Sequence, residues 1–135
     1  MDDKIAHLGY IQGAINRMAG NSFLVKGWTV ALVAAIFALS SAKDSNPKLI
    51  LTSVFPIIVF WIYDCYYLRQ EKLYRKLFDL VAENRIDSAK FTMDTTKICE
   101  GVPTIVNLFF SKSVIPFYAL ILVLLVVVGF GIGLW

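Results

Sequence analysis

The sequence predicts an all-α membrane protein: three transmembrane helices, an amphipathic N-terminal helix and a cytoplasmic extension of the second span. Three observations lead there. Apolar residues make up 58% of the chain, against roughly 45–50% in soluble proteins. That excess is concentrated in three stretches, 23–42, 49–68 and 114–135. Each reaches the roughly 20 residues that a helix rising about 1.5 Å per residue needs to cross a hydrocarbon core about 30 Å thick. Finally, a chain of 135 residues has too little left over to bury three such helices in a soluble core. The whole chain, 1–135, reads as a single membrane domain.

The N-terminal segment, 1–22, carries Leu8, Ile11, Ile15, Met18 and, just beyond it, Val25 at heptad-like spacing, a narrow apolar stripe on a helix. Gly9 and Gly13 form a GxxxG pair on another face, where helix backbones can approach closely. Such a segment either lies on the membrane surface or self-associates. The first span, 23–42, ends Leu39-Ser40-Ser41-Ala42, a loose likeness to a cleavage site. No charged segment leads directly into it and a turn to the next span follows at once, so it is expected to be permanent. Asn46-Pro47 then disfavours helix and opens the next element.

In the second span, 49–68, Pro56 is expected to kink the helix. Its continuation carries an apolar face of Leu73, Leu77, Phe78 and Val81 against Arg69, Lys72, Arg75 and Asp79. An apolar face without cover drives aggregation, so Leu73, Leu77 and Val81 are expected to meet the N-terminal helix or a neighbouring subunit. Within the cytoplasmic segment 69–112, residues 86–101 read as a structured loop. Pro103 then opens a short in-plane helix leading to the third span, 114–135. There Gly129 and Gly133 form a second GxxxG face, read with Gly9, Gly13, Leu73, Leu77 and Val81 as a set of oligomer contacts.

Orientation follows from Lys and Arg placement. Eleven of these residues fall on the N-terminal side of the first span, at its entrance, or between spans two and three; only Lys43 and Lys48 lie in the first connection. The N-terminus and the long loop are thus assigned to the cytoplasm, and Trp135 to the outside.

Catalysis is not expected. No P-loop, GxSxG, HExxH, GxGxxG or zinc-ligand spacing occurs, and the one histidine, His7, has no acid or nucleophile marked beside it. Cys65 and Cys99 belong to no CxxC or Cys/His cluster. No cofactor or metal is anticipated, and bases interspersed with acids give no nucleic-acid surface. The candidate polar site is Asp64, since an ionisable group in or near a span marks either an ion pathway or a paired contact. Lys26, Arg17 and Arg69 are its candidate partners. An interfacial ion pair would contribute about 0–1 kcal/mol; a ring of carboxylates in an oligomer would line a pore.

Four segments, Asn21–Trp28, Tyr67–Leu77, Phe91–Asp94 and Ile115–Tyr118, resemble an uncharacterised family of small bacterial inner-membrane proteins. The likeness covers most of the chain, and Tyr67-Leu68-Arg69-Gln70-Glu71-Lys72-Leu73-Tyr74-Arg75-Lys76-Leu77 is its most specific part. The hairpin with a cytoplasmic helix also resembles, in architecture only, the paired-helix membrane effectors of bacterial anti-phage systems. These resemblances imply an oligomeric inner-membrane effector, channel-like or permeability-altering, whose partners are the lipid bilayer, further copies of itself and a cytoplasmic sensor or signalling protein. The alternative is a non-conducting accessory subunit that docks a cytoplasmic partner. A small transporter is a weaker third class, because no inverted repeat is present.

Reporter fusions at Arg85 and after Trp135 should read opposite compartments; the same compartment for both would refute three spans.

Overall fold

No proline occurs before Pro47, and nothing else interrupts the first helix. In the computed structural model, which describes residues 1–134, α1 runs unbroken over Asp2–Ser40, 39 residues or about 58 Å. The N-terminal segment and the first apolar stretch are therefore one helix rather than two. Asp2 and Asp3 occupy its first turn, where acids complement the helix dipole. At the other end Ser45 Oγ donates to the Ser40 carbonyl, 2.7 Å, and Asp44 takes a left-handed conformation, φ 67°, which Asp tolerates better than most residues.

The return arm opens with a 3-10 helix, Pro47–Ser53, capped by the Asn46 side chain on Lys48 N, 3.0 Å. It passes directly into α2, Val54–Ala82. Pro56 thus lies in the first turn of α2, where its missing N–H has no helical partner to lose. The kink expected inside the second span is replaced by this 3-10 to α transition just before Pro56. The two parts of the return arm together rise about 57 Å, matching α1. Asn84 closes α2 in the left-handed region, φ 58°, with Arg85 N donating to Leu80 O at 2.9 Å. Lys4 Nζ reaches the freed Ala82 carbonyl at 2.7 Å and Asn84 Oδ1 at 3.0 Å, pinning the start of α1 to the end of α2.

Between these ends the apolar stripes of both helices face each other. Ile11 and Ile15 of α1 pack with Leu77 and Val81 of α2, flanked by Leu8, Tyr74, Phe78 and Ile86. Leu73 is buried as well. Ile11 and Ile15 of the α1 stripe are therefore covered by α2, and of the two expected covers for Leu73, Leu77 and Val81 the N-terminal helix supplies one within the chain. The reason is register: an antiparallel hairpin of matched arms brings the two stripes opposite each other.

The loop after α2 is fastened to α1. His7 is buried, its Nε2 2.7 Å from the Thr92 carbonyl, with Phe91 edge-on to it at 5.9 Å. Asp94 accepts from Thr96 N and Oγ1, at 2.9 and 2.7 Å, which holds its carboxyl below the usual carboxylate range. A short helix, α3 (Ile105–Phe109), is capped by Thr104 on Asn107 N. It leads into α4, Ile115–Gly131. Trp61 of α2 stacks between Phe109 of α3, 4.5 Å, and Tyr118 of α4, 5.2 Å. The Tyr118 hydroxyl donates to Phe60 O at 3.2 Å. Around this stack Val33, Ile57, Cys65, Leu108, Val114, Ile121 and Leu125 form the second apolar cluster.

Every regular element among the described residues is helical. Two helices are long and apolar enough to cross a membrane: α1, and the return arm Pro47–Ala82. Only 11% and 28% of their most apolar stretches are buried, unlike core helices of a soluble protein. The third apolar stretch yields a shorter helix, the 17 residues of α4, rising about 25 Å. It stops because Gly133 turns left-handed, φ 70°, and Leu134 N closes back onto Gly129 O at 2.9 Å. Gly133 thus lies beyond the helix and Gly129 is buried against the chain itself, so the two form no exposed helical GxxxG face. Trp135 lies outside the described residues.

Leu77→Ala should cost about 2–5 kcal/mol by denaturant unfolding in detergent micelles, followed by helical circular dichroism. A loss below 1 kcal/mol would mean that the α1–α2 seam is not closed.

Candidate functional site: a buried charge cluster in the hairpin

Ser22 and Lys26 lie one turn apart on α1, so both side chains project from the same face. That face meets α2 where Asp64 sits, halfway along the hairpin. Asp64 is fully buried. Its Oδ2 pairs with Lys26 Nζ, and its Oδ1 accepts from Ser22 Oγ. Lys26 Nζ also donates to Ser22 Oγ at 3.1 Å, closing a three-membered ring of contacts. The Lys26 ammonium lies 5.9 Å from the centroid of Phe117 in α4, within range of a cation–π attraction.

The surroundings are partly polar. Thr29, one turn below Val25, is buried and returns its hydroxyl to the Val25 carbonyl at 2.7 Å. The Tyr118 hydroxyl is within electrostatic reach of Asp64 and Thr29, and Cys65, the residue after Asp64, is buried as well. Both carboxylate oxygens of Asp64 are therefore occupied, and α4 covers the remaining side. A buried ion pair is tolerable only with such added hydrogen bonds, because desolvation otherwise outweighs the Coulomb attraction. Chemically this arrangement is a closed clamp. The Asp64 carboxylate is closed off from solvent, with each oxygen held by a side chain of α1. Among the described residues, no group of three or more His, Cys, Asp or Glu side chains is placed to hold a metal.

Of the candidate partners, Lys26 reaches Asp64, whereas Arg17 and Arg69 do not. The ion pairs among the described residues are Lys26–Asp64, Glu71–Arg75 and Glu83–Arg85. Ser22 is a further partner of Asp64, and its spacing from Lys26 on one helix face is the signal in the sequence that marks it. The contributions of Phe117 and Tyr118 were not legible, since they depend on how α4 folds back. Full burial of Asp64 also displaces the picture of an interfacial acid contributing at most about 1 kcal/mol.

Gly9 and Gly13 lie on the exposed side of α1, away from this cluster, and a Cβ added at either meets nothing within 4 Å. Gly20 and Gly27 behave the same way. Spacings of four, seven and seven return to nearly one helical face, so the four glycines form an open stripe opposite the α2 seam. No family model, curated protein or solved structure matches this chain.

Removing Lys26 leaves a sealed, unpaired carboxylate, so Lys26→Met should cost about 3–5 kcal/mol. Asp64→Asn should cost less, about 1–3 kcal/mol, because the lysine side chain is 25% exposed and the amide still accepts from Ser22. The double variant should recover most of the Lys26→Met loss. Equal costs for the two single variants, measured by unfolding in detergent, would show that Asp64 is not sealed.

Proposed function

We propose that the chain is a membrane-embedded, self-assembling helical hairpin of a bacterial inner membrane that acts as an effector, altering permeability under control of a cytoplasmic signal. The apolar halves of α1 and of the return arm, with α4 beside them, lie in the bilayer. The polar halves, with the fastened loop, project into the cytoplasm and receive the signal or partner. A role in anti-phage defence fits this plan through its architectural likeness alone.

The observation that carries the reading is the open glycine stripe on α1. Around Gly27, the side chains of Phe23, Leu24, Trp28 and Ala31 border an apolar hollow of about 380 Å³. Phe23 is 77% exposed and Trp28 62%. In lipid, association rests on close backbone approach between small residues, which applies to Gly27 in the apolar half. Gly9, Gly13 and Gly20 continue the same face into the polar half, where glycine otherwise weakens a helix by about 1 kcal/mol. Four such residues on one uncovered face are best accounted for by another helix packing there. Assembly would then use Gly9, Gly13, Gly20 and Gly27 in place of Gly129 and Gly133. A permeation path between copies, if formed, is bounded by these faces and not by Asp64.

The sealed state of Asp64 favours a second reading, a non-conducting accessory subunit that docks a partner through the polar half of the hairpin. Ion flux from vesicles holding the purified protein separates the two. Wild type should assemble and conduct. Gly13→Leu with Gly20→Leu should abolish both, with helical content retained because both sites are open. Asp64→Asn should leave the reversal potential under a salt gradient unchanged. A monomeric wild type in lipid sinks the assembly reading, and assembly without flux moves the function to the accessory subunit.

A further inference from the structure

One turn beyond Asp64 along α2, a cavity of about 540 Å³ opens between α2 and the segment that leads into α4. Four polar side chains line it: Lys72, Asn107, Ser111 and Ser113. None of them hydrogen-bonds within the chain among the described residues, and the Ser111 hydroxyl is buried without a partner. A buried hydroxyl left unpaired costs free energy, so a ligand that supplies an acceptor is favoured there. No carboxylate lines the cavity, and Lys72 forms no ion pair, so the site carries an uncompensated positive charge. Its wall is held in place. The Lys76 ammonium bonds the Glu100 carbonyl, and Gly101, in the left-handed region at φ 78°, turns the chain into the cavity rim. Leu68 and Leu108 supply an apolar floor.

We propose that this cavity binds the phosphate of an anionic lipid headgroup. Three donors and a free ammonium suit a phosphate oxygen cluster. The volume exceeds that of a single anion and accommodates a headgroup. The lipid source, as opposed to free phosphate, follows from α3. This helix turns Asn107 toward the cavity while leaving Val106 and Phe110 70% and 71% exposed. Acyl chains lying along those two side chains would cover them. Tyr66 and Tyr67 stand on the α2 turn between Asp64 and the cavity, the level at which aromatic residues gather at a bilayer interface. The inference rests on the membrane reading, and its test separates the two.

The full chain, purified in dodecyl maltoside, is titrated with phosphatidylglycerol, phosphatidylcholine and inorganic phosphate, and bound lipid is counted by native mass spectrometry. Wild type should retain one phosphatidylglycerol per chain in preference to phosphatidylcholine. Lys72→Gln should weaken retention about tenfold, the loss expected for a charge-assisted contact, while Lys72→Arg keeps it. Ser111→Ala should weaken it by a smaller factor. Lys72 is exposed, so its substitutions do not put folding at stake, and circular dichroism checks the fold of all three variants. Equal phosphatidylglycerol retention by wild type and Lys72→Gln overturns the site. Binding of inorganic phosphate with the same Lys72 dependence, but no lipid retention, overturns the lipid assignment. Separately, release of the chain from membranes by alkaline carbonate would sink the membrane reading itself.

Discussion

A helix of 39 residues cannot hold its shape alone when four of them are glycines, each weakening the helix by about 1 kcal/mol. The stability of α1 comes from a partner of equal length, and the chain builds that partner from two pieces, a 3-10 helix and α2. Everything else attaches to this pairing. The loop after α2 closes over His7 at one end of the hairpin, and α3 and α4 stack on Trp61 toward the other. An antiparallel pair with purely apolar contacts can slide by a turn at modest cost. The contact of Asp64 with Lys26 and Ser22 forbids that, because a slip would leave a buried carboxylate unpaired. The register of the hairpin is thus set by polar contacts and its strength by apolar ones.

The same helix has two faces with opposite composition. Toward α2 it presents Ile11, Ile15, Thr29 and Val33, all buried. Away from α2 it presents the glycines, which add nothing to the fold of the single chain. Replacing them with alanine would strengthen the helix, and no side chain stands in the way. Their presence is a cost in the isolated hairpin, and it becomes a gain only when something approaches closely. The closed face is thus accounted for by folding, whereas the open face is accounted for by association only under the proposed function.

Much of the hairpin was legible because its signals are local. The apolar lengths, the Asn46-Pro47 turn and the stripes of α1 and α2 follow from spacing. The pairing of Asp64 with Lys26 was within reach for the same reason. What spacing alone did not reveal was which of several equivalent surfaces a stripe would meet. Leu73, Leu77 and Val81 suit a neighbouring subunit as well as α1, and only the hairpin register decides between them. Pro56 was misplaced because a kink requires the proline to lie past the first turn, and the preceding 3-10 helix moved the start of α2. Gly133 was read as part of a helical face because its left-handed conformation depends on where α4 stops. The cavity beside Lys72 was invisible, since its lining comes from segments some 30 residues apart in sequence, Leu68–Lys72 and 101–113.

The closed state of Asp64 also constrains how any activity arises. A carboxylate with both oxygens engaged and α4 packed across it attracts no ion unless the hairpin comes apart, and parting the hairpin would expose an unpaired charge in an apolar setting. Large apolar side chains lie exposed on α1, α2 and α4: Phe23 and Trp28 on the first, Phe55 on the second and Val127 on the third are all more than half exposed. Lipid satisfies such side chains without discrimination, whereas the glycine stripe discriminates in favour of a helix backbone. On the proposed function, any change in the bilayer would arise where copies meet along that stripe and not at the sealed Asp64.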